Sequence, residues 1–184
     1  MSTQAEQPEP TLQPEPDTKD WTWTLERPCP ECGYDAATVQ PAAVPALVRD
    51  AMSRFPDALR REGATLRPAP RVWSPLEYGC HVRDVCRLFT RRLHLMLDED
   101  DPLFDNWDQD ATALADRYAE QDPLLVAAEC EDAAHEAADA FGAVADGQWR
   151  RTGRRSDGAS FTVESFARYF LHDLYHHVHD LDRP

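Results

Sequence analysis

This sequence predicts an all-α protein organised as a four-helix bundle, and three observations carry that expectation. Ser74-Pro75-Leu76-Glu77 and Asp122-Pro123 are strong helix-start signals. Apolar residues recur at helical spacing through four long stretches, and no stretch shows convincing strand alternation. The chain of 184 residues is long enough for one hydrophobic core and too short for two comfortable ones.

Three regions follow along the chain. Residues 1–20 carry five carboxylates, one lysine and several prolines without apolar periodicity, so they bury too little surface to offset the entropy of ordering. They read as a disordered acidic tail. Residues 21–35 bring Trp21, Trp23 and the turn Cys29-Pro-Glu-Cys32-Gly33, an ordered lead-in expected to pack on the domain. Residues 36–184 form the bundle domain.

The first helix is expected over about Pro45 to Arg61, with Leu47, Met52, Phe55 and Leu59 as apolar positions, a kink at Pro56 and an end at Gly63. The second starts at the Ser74 capping box and runs to about Leu97, with His81 on its second turn. Asp98 to Asp108 reads as an acidic loop, and Asp110 to Glu120 as a short helix. The third long helix opens at Asp122-Pro123 and reaches about Val144, offering Leu125, Ala128, Ala133, Ala137 and Phe141 to the core. A basic, glycine-containing loop, Gly147 to Ser160, leads to the last helix. Thr162 caps that helix, which extends from about Val163 to Asp180 and packs through Phe166, Tyr169, Phe170 and Leu174.

Charge narrows the function classes. Nineteen basic against 34 acidic residues give a net charge of −15, which argues against nucleic acid or an anionic membrane as the main partner. No apolar run approaches the roughly 20 residues that span a bilayer, and the N-terminus lacks the pattern of a signal peptide, so a cytoplasmic protein acting on small molecules is expected. The five cysteines are odd in number and do not resemble a disulfide framework. A single lysine, a single asparagine and no isoleucine suggest codon bias in a GC-rich genome.

Four of the seven histidines lie within eight residues at the end of the chain, His172, His176, His177 and His179. Imidazoles four apart share a helical face, so His172 and His176 can hold one metal ion. Two imidazoles leave a divalent ion under-coordinated, and His81, in line with Val85 and Leu88 on an apolar face, is the natural third ligand. His177 and His179 read as surface histidines.

The run Trp73-Ser74-Pro75-Leu76-Glu77-Tyr78-Gly79-Cys80-His81-Val82-Arg83-Asp84-Val85, followed by His172-x-x-x-His176-His177, resembles the DinB/YfiT-like superfamily of metal-binding four-helix bundles. That superfamily includes mycothiol- and bacillithiol-dependent transferases and mycothiol-dependent maleylpyruvate isomerase. The resemblance covers roughly Ala36 to Asp180. It implies His81, His172 and His176 as ligands of a divalent ion, Zn²⁺ first, with Ni, Fe or Mn as alternatives. It further implies that a small thiol, bound as thiolate at the open coordination position, is directed at an electrophilic carbon for S-transfer or isomerisation. The GC-rich usage favours mycothiol as the thiol. Neither the Cys29 to Cys32 turn nor the acidic tail belongs to the general pattern.

Other residues have candidate roles around such a site. Asp84 and Asp180 are placed to accept a ligand N–H and fix its tautomer. Arg150, Arg151, Arg154 and Arg155, with Tyr175, are candidates for binding the thiol or an acidic substrate. Cys29 and Cys32 form a secondary thiol or metal site, or else a packed turn. Metal-assisted hydrolysis and a non-catalytic, stress-related metal-binding bundle are the alternative functions. A homodimer is a further expectation.

Overall fold

The computed structural model describes residues 14, 16 and 19–182. The acidic tail expected over residues 1–20 falls outside these, except for Pro14, Pro16, Lys19 and Asp20. Among the described residues the helices are α1 (Val44–Met52), α2 (Arg54–Leu59), α3 (Pro75–Asp98), α4 (Gln109–Ala115), α5 (Pro123–Gly142) and α6 (Val163–Leu181). The four long members of the bundle are the broken pair α1/α2 together with α3, α5 and α6. Both α1 and α3 pack against α5 and α6.

Local chemistry explains the helix ends. Proline has no N–H to donate, and its ring clashes with the carbonyl four residues earlier. For Pro56 that residue is Met52, the last of α1, so the first helix divides at Ser53 rather than bending at Pro56. At the start of α3 the Ser74 Oγ accepts from the Glu77 N–H at 3.2 Å, and the Glu77 carboxylate accepts from the Ser74 N–H at 2.9 Å. Arg67 donates to the same carboxylate through Nε at 2.9 Å and through its terminal nitrogen at 2.5 Å. Thr162 caps α6, and its side chain accepts from the Ser165 N–H at 3.1 Å.

The buried face of α5 is rotated from the expected one. Val126, Ala127, Cys130, Ala133, Ala134, Ala137, Ala138 and Phe141 are buried, whereas Leu125 is 59% exposed and Ala128 is exposed. The stripe of alanines lets α5 approach α3 closely, and the Cys130 thiol reaches the Gly79 carbonyl at 3.3 Å. A Cβ on Gly79 would meet the Leu59 side chain of α2 at 2.9 Å, so a larger residue there would push Leu59 from its place. Aromatic stacking closes the centre of the bundle, with Phe89 against Phe166 at 4.6 Å and Phe170 at 4.9 Å, and Phe141 against Phe170 at 5.6 Å.

A small sheet accompanies the bundle where only loops were expected. β1 (Leu103–Phe104) runs parallel to β2 (Thr152–Arg155), which pairs antiparallel with β3 (Ser160–Thr162). Strands of two to four residues are too short to show alternation, which is why the sequence pattern does not reveal them. Gly153 lets β2 lie on α3, since a Cβ there would fall 2.7 Å from Met96 Cγ. Gly158, with φ of 99°, turns β2 into β3. No helix among the described residues is long and apolar enough to cross a membrane.

The Glu77 pair makes a pH-dependent prediction. Burial pushes the Glu77 carboxyl up, but the bonds from Arg67 and Ser74 outweigh it and hold the group below its ordinary value of 4.5. A depressed carboxylate stabilises the fold above its unfolded value, and this contribution is lost as pH falls through the lower folded value. Glu77→Gln should therefore cost about 1–3 kcal/mol at neutral pH in urea unfolding, and the gap from the unsubstituted protein should narrow below pH 4.5.

Candidate metal centres

Helix α6 turns about 100° per residue, so adjacent residues open onto different neighbours. His172 and His176 face the lead-in. Asp173 and His177, one step further round, face α3. Among the described residues this produces two groups of donor atoms, each lying within 4.8 Å of one another: His81, Asp173 and His177, and Cys29, Cys32, His172 and His176. The three histidines expected to share one ion are thus divided, with His81 in the first group and His172 and His176 in the second.

In the first group His81 is fully buried on α3. Its Nε2 lies 3.3 Å from Asp173 Oδ1, and His177 Nε2 lies 3.5 Å from the same oxygen. The two imidazoles stand nearly perpendicular, with ring centres 4.6 Å apart. Trp107 stacks on His81 at 5.5 Å, and Trp73 covers it at 5.2 Å. The loop after β1 carries Trp107, whose indole N–H donates to Thr112 at 2.7 Å. His177 Nδ1 meets Asp180 Oδ2 at 3.0 Å, so a proton held on Nδ1 would leave the Nε2 lone pair for an ion shared with Asp173.

The protonation states suit a cation. Burial pushes His81 down, toward the neutral imidazole, against the opposing pull of Asp173. Burial alone would raise Asp173, but the His81 hydrogen bond and the neighbouring imidazoles hold its carboxyl below the usual range. Two imidazoles and one carboxylate form a donor set that first-row divalent ions accept. His81 Nδ1 has no hydrogen-bond partner among the described residues.

The second group joins the lead-in to α6. Cys29 is 1% exposed, and its Sγ lies 3.8 Å from His176 Nδ1. The turn that holds the cysteines closes through the Gly33 N–H to the Cys29 carbonyl at 2.8 Å and the Cys29 N–H to the Tyr34 carbonyl at 2.8 Å. Gly33 has φ of 75°, a left-handed conformation that favours glycine. Trp21 covers both imidazoles, at 5.3 Å from His172 and 4.9 Å from His176. Burial pushes the Cys32 thiol up to about 11, and it pushes His172 down to about 4.

Both groups border one cavity of about 730 Å³, walled by Lys19, Trp21, Arg71, Trp73, Tyr78 and Tyr169 among others. Asp173, His172, His176, His177 and Asp180 lie at its edge. Asp180 thus takes the supporting place expected of it, with His177 as its nearer partner and His176 Nε2 at 4.0 Å. Asp84 is engaged elsewhere, accepting from Arg83 Nε at 2.8 Å and from the Tyr118 hydroxyl at 2.6 Å.

The arginine cluster does not line this cavity. Arg151 donates to the carbonyls of Met96 and Glu99, Arg154 pairs with Asp101, and Arg150 is exposed. Arg155 pairs with Asp157 and touches the Tyr169 hydroxyl at 3.4 Å, so it reaches the cavity through Tyr169. Tyr175 donates to Asp50 at 2.9 Å and stacks on Tyr34, away from the cavity. The cations that line the cavity are Lys19 and Arg71, beside the carboxylates of Asp110, Asp173 and Asp180.

The histidine spacing alone gives Asp173 no role and places His177 at the surface. Its side chain is 16% exposed and sits against His81. The helical spacing carries a signal, because Asp173 and His177 fall three and seven residues after Phe170, on the stripe that also holds Phe166, whereas His172 and His176 lie on another side of α6.

Comparison with known proteins agrees with this architecture. The family model described as DinB superfamily matches residues 46–181. Among solved structures, Bacillus subtilis YfiT, described as a probable metal-dependent hydrolase with an unusual four-helix bundle topology, superposes with a TM-score of 0.57 at 20% identity. The match covers 76% of this chain and 78% of YfiT. No curated protein matches the sequence. The helical bundle, with its inward histidine on α3 and its donor-rich α6, is that of a member of the DinB superfamily.

Proposed function

We propose that the protein is a metal-dependent enzyme in which His81, Asp173 and His177 hold a divalent ion, Zn²⁺ first, and that it activates a low-molecular-weight thiol such as mycothiol for attack on a small electrophile. The observation that carries this reading is the convergence of three donors within 4.8 Å at the edge of a large cavity. A three-donor set leaves coordination positions open, which is the mark of catalytic rather than structural zinc. An ion held there supplies Lewis-acid activation, lowering the pKa of a thiol or water that reaches it.

The chain's own residues do the rest. Asp173 supplies the negative charge that offsets the cation, and Asp180 orients His177. Trp73 and Trp107 enclose His81 and exclude water from its side of the site. Lys19 and Arg71 bring positive charge to the cavity wall, suited to the carboxylate of a thiol cosubstrate or an acidic electrophile. A cavity of about 730 Å³ lies within the range that accommodates drug-sized ligands, consistent with an organic cosubstrate beside a small electrophile. Hydrolysis, with water as the nucleophile, is the second reading, favoured by the fold shared with YfiT and its description as a metal-dependent hydrolase.

Incubating the metal-loaded protein with mycothiol and a panel of small electrophiles separates the two. Metal-dependent loss of thiol, abolished in His81→Ala and Asp173→Asn, is the expected outcome; ester or amide cleavage without thiol loss would favour the hydrolase. Asp180→Asn should weaken the affinity of this site by about 10–100-fold in competition against a chelator. An unchanged affinity would remove Asp180 from its supporting role.

A further inference from the structure

We propose that Cys29, Cys32, His172 and His176 form a second, closed tetrahedral Zn²⁺ site that clasps the lead-in to α6. Two thiolates and two imidazoles fill a tetrahedral zinc site with no position left for substrate, which marks a structural ion. Their softness selects zinc over the oxygen-seeking cations. Binding displaces the two thiol protons to solvent and changes no oxidation state.

Four observations support the site. The donor atoms of all four side chains lie within 4.8 Å of one another. Zinc–sulfur and zinc–nitrogen bond lengths with tetrahedral angles place neighbouring sulfur and nitrogen ligands about 3.6 Å apart, and Cys29 Sγ lies 3.8 Å from His176 Nδ1. His172 is 3% exposed, and its Nε2 has no hydrogen-bond partner among the described residues, a cost that a metal bond removes. Both cysteines are free thiols, held on one turn by Gly33 at positive φ.

The position of the site gives it a purpose. It joins residues separated by 147 positions in the chain, and the segment it secures carries Lys19 and Trp21 into the wall of the cavity. Trp21 and Tyr34 pack on His172, and the Tyr34 hydroxyl donates to the Arg168 carbonyl at 2.8 Å, so the lead-in is already docked where an ion would hold it. The ion therefore fixes one wall of the catalytic cavity while taking no part in the chemistry beside it.

Cobalt titration of the reduced, metal-free full-length protein tests the site without reference to turnover. Co²⁺ should produce thiolate-to-cobalt charge-transfer absorption in the unsubstituted protein and in His81→Ala, and Zn²⁺ should bleach it. The band should be lost in Cys29→Ser/Cys32→Ser. The unsubstituted protein alone can overturn the proposal, because absence of the band would show that no thiolate binds the metal. Persistence of the band at full strength in the double variant would overturn it equally. Retention of the band in a protein that consumes no thiol would leave this site standing and defeat the proposed function alone.

Discussion

The rotation of an α-helix by about 100° per residue is the constraint on which this molecule turns. Because His172 and Asp173 are neighbours in the chain, they point to different surfaces, and the same is true of His176 and His177. One helix thereby serves two donor groups at once, one shared with α3 and one with the lead-in. Moving the register of α6 by one residue would turn a different pair toward α3, so the packing that fixes its rotation also fixes the chemistry. That packing is aromatic: Phe166 and Phe170 are clamped by Phe89, Phe141 and Phe161.

The smaller elements hold the surroundings of the donors. β1 carries the chain toward the loop that lays Trp107 on His81, and Arg155 on β2 lies over Tyr169 at the cavity wall. The buried capping box of Ser74 and Glu77, strengthened by Arg67, sets the start of α3 two turns before His81. Opposite these, the Cys29 to Cys32 turn and Trp21 cover the other face of α6. Lys19, paired with Glu31 at 3.2 Å, and Arg71 are the cations on the cavity wall of a chain with a net charge of −15.

Much of this fold is legible in the sequence because its signals are local. The caps at Ser74, Asp122 and Thr162 mark three helix starts, and each is found at the expected residue. The break at Ser53 is less legible, since it is set by where the Pro56 ring meets the preceding turn. The short strands are hidden, because two to four residues carry no period. For the site, spacing identifies α6 as a donor helix but cannot say which of two staggered pairs, His172 with His176 or Asp173 with His177, meets His81. That choice depends on the rotation of α6 about its axis, a property of packing between helices. The Cys29 to Cys32 turn is equally ambiguous by itself, and its partners become visible once α6 passes beneath it.

The central claim is that α6 presents two separate metal sites rather than one site built from His81, His172 and His176. Anomalous X-ray diffraction at the zinc edge, from crystals of the zinc-loaded full-length protein, tests it directly. Two peaks are expected, one among His81, Asp173 and His177 and one among Cys29, Cys32, His172 and His176. A single peak coordinated by His81, His172 and His176 would contradict the account.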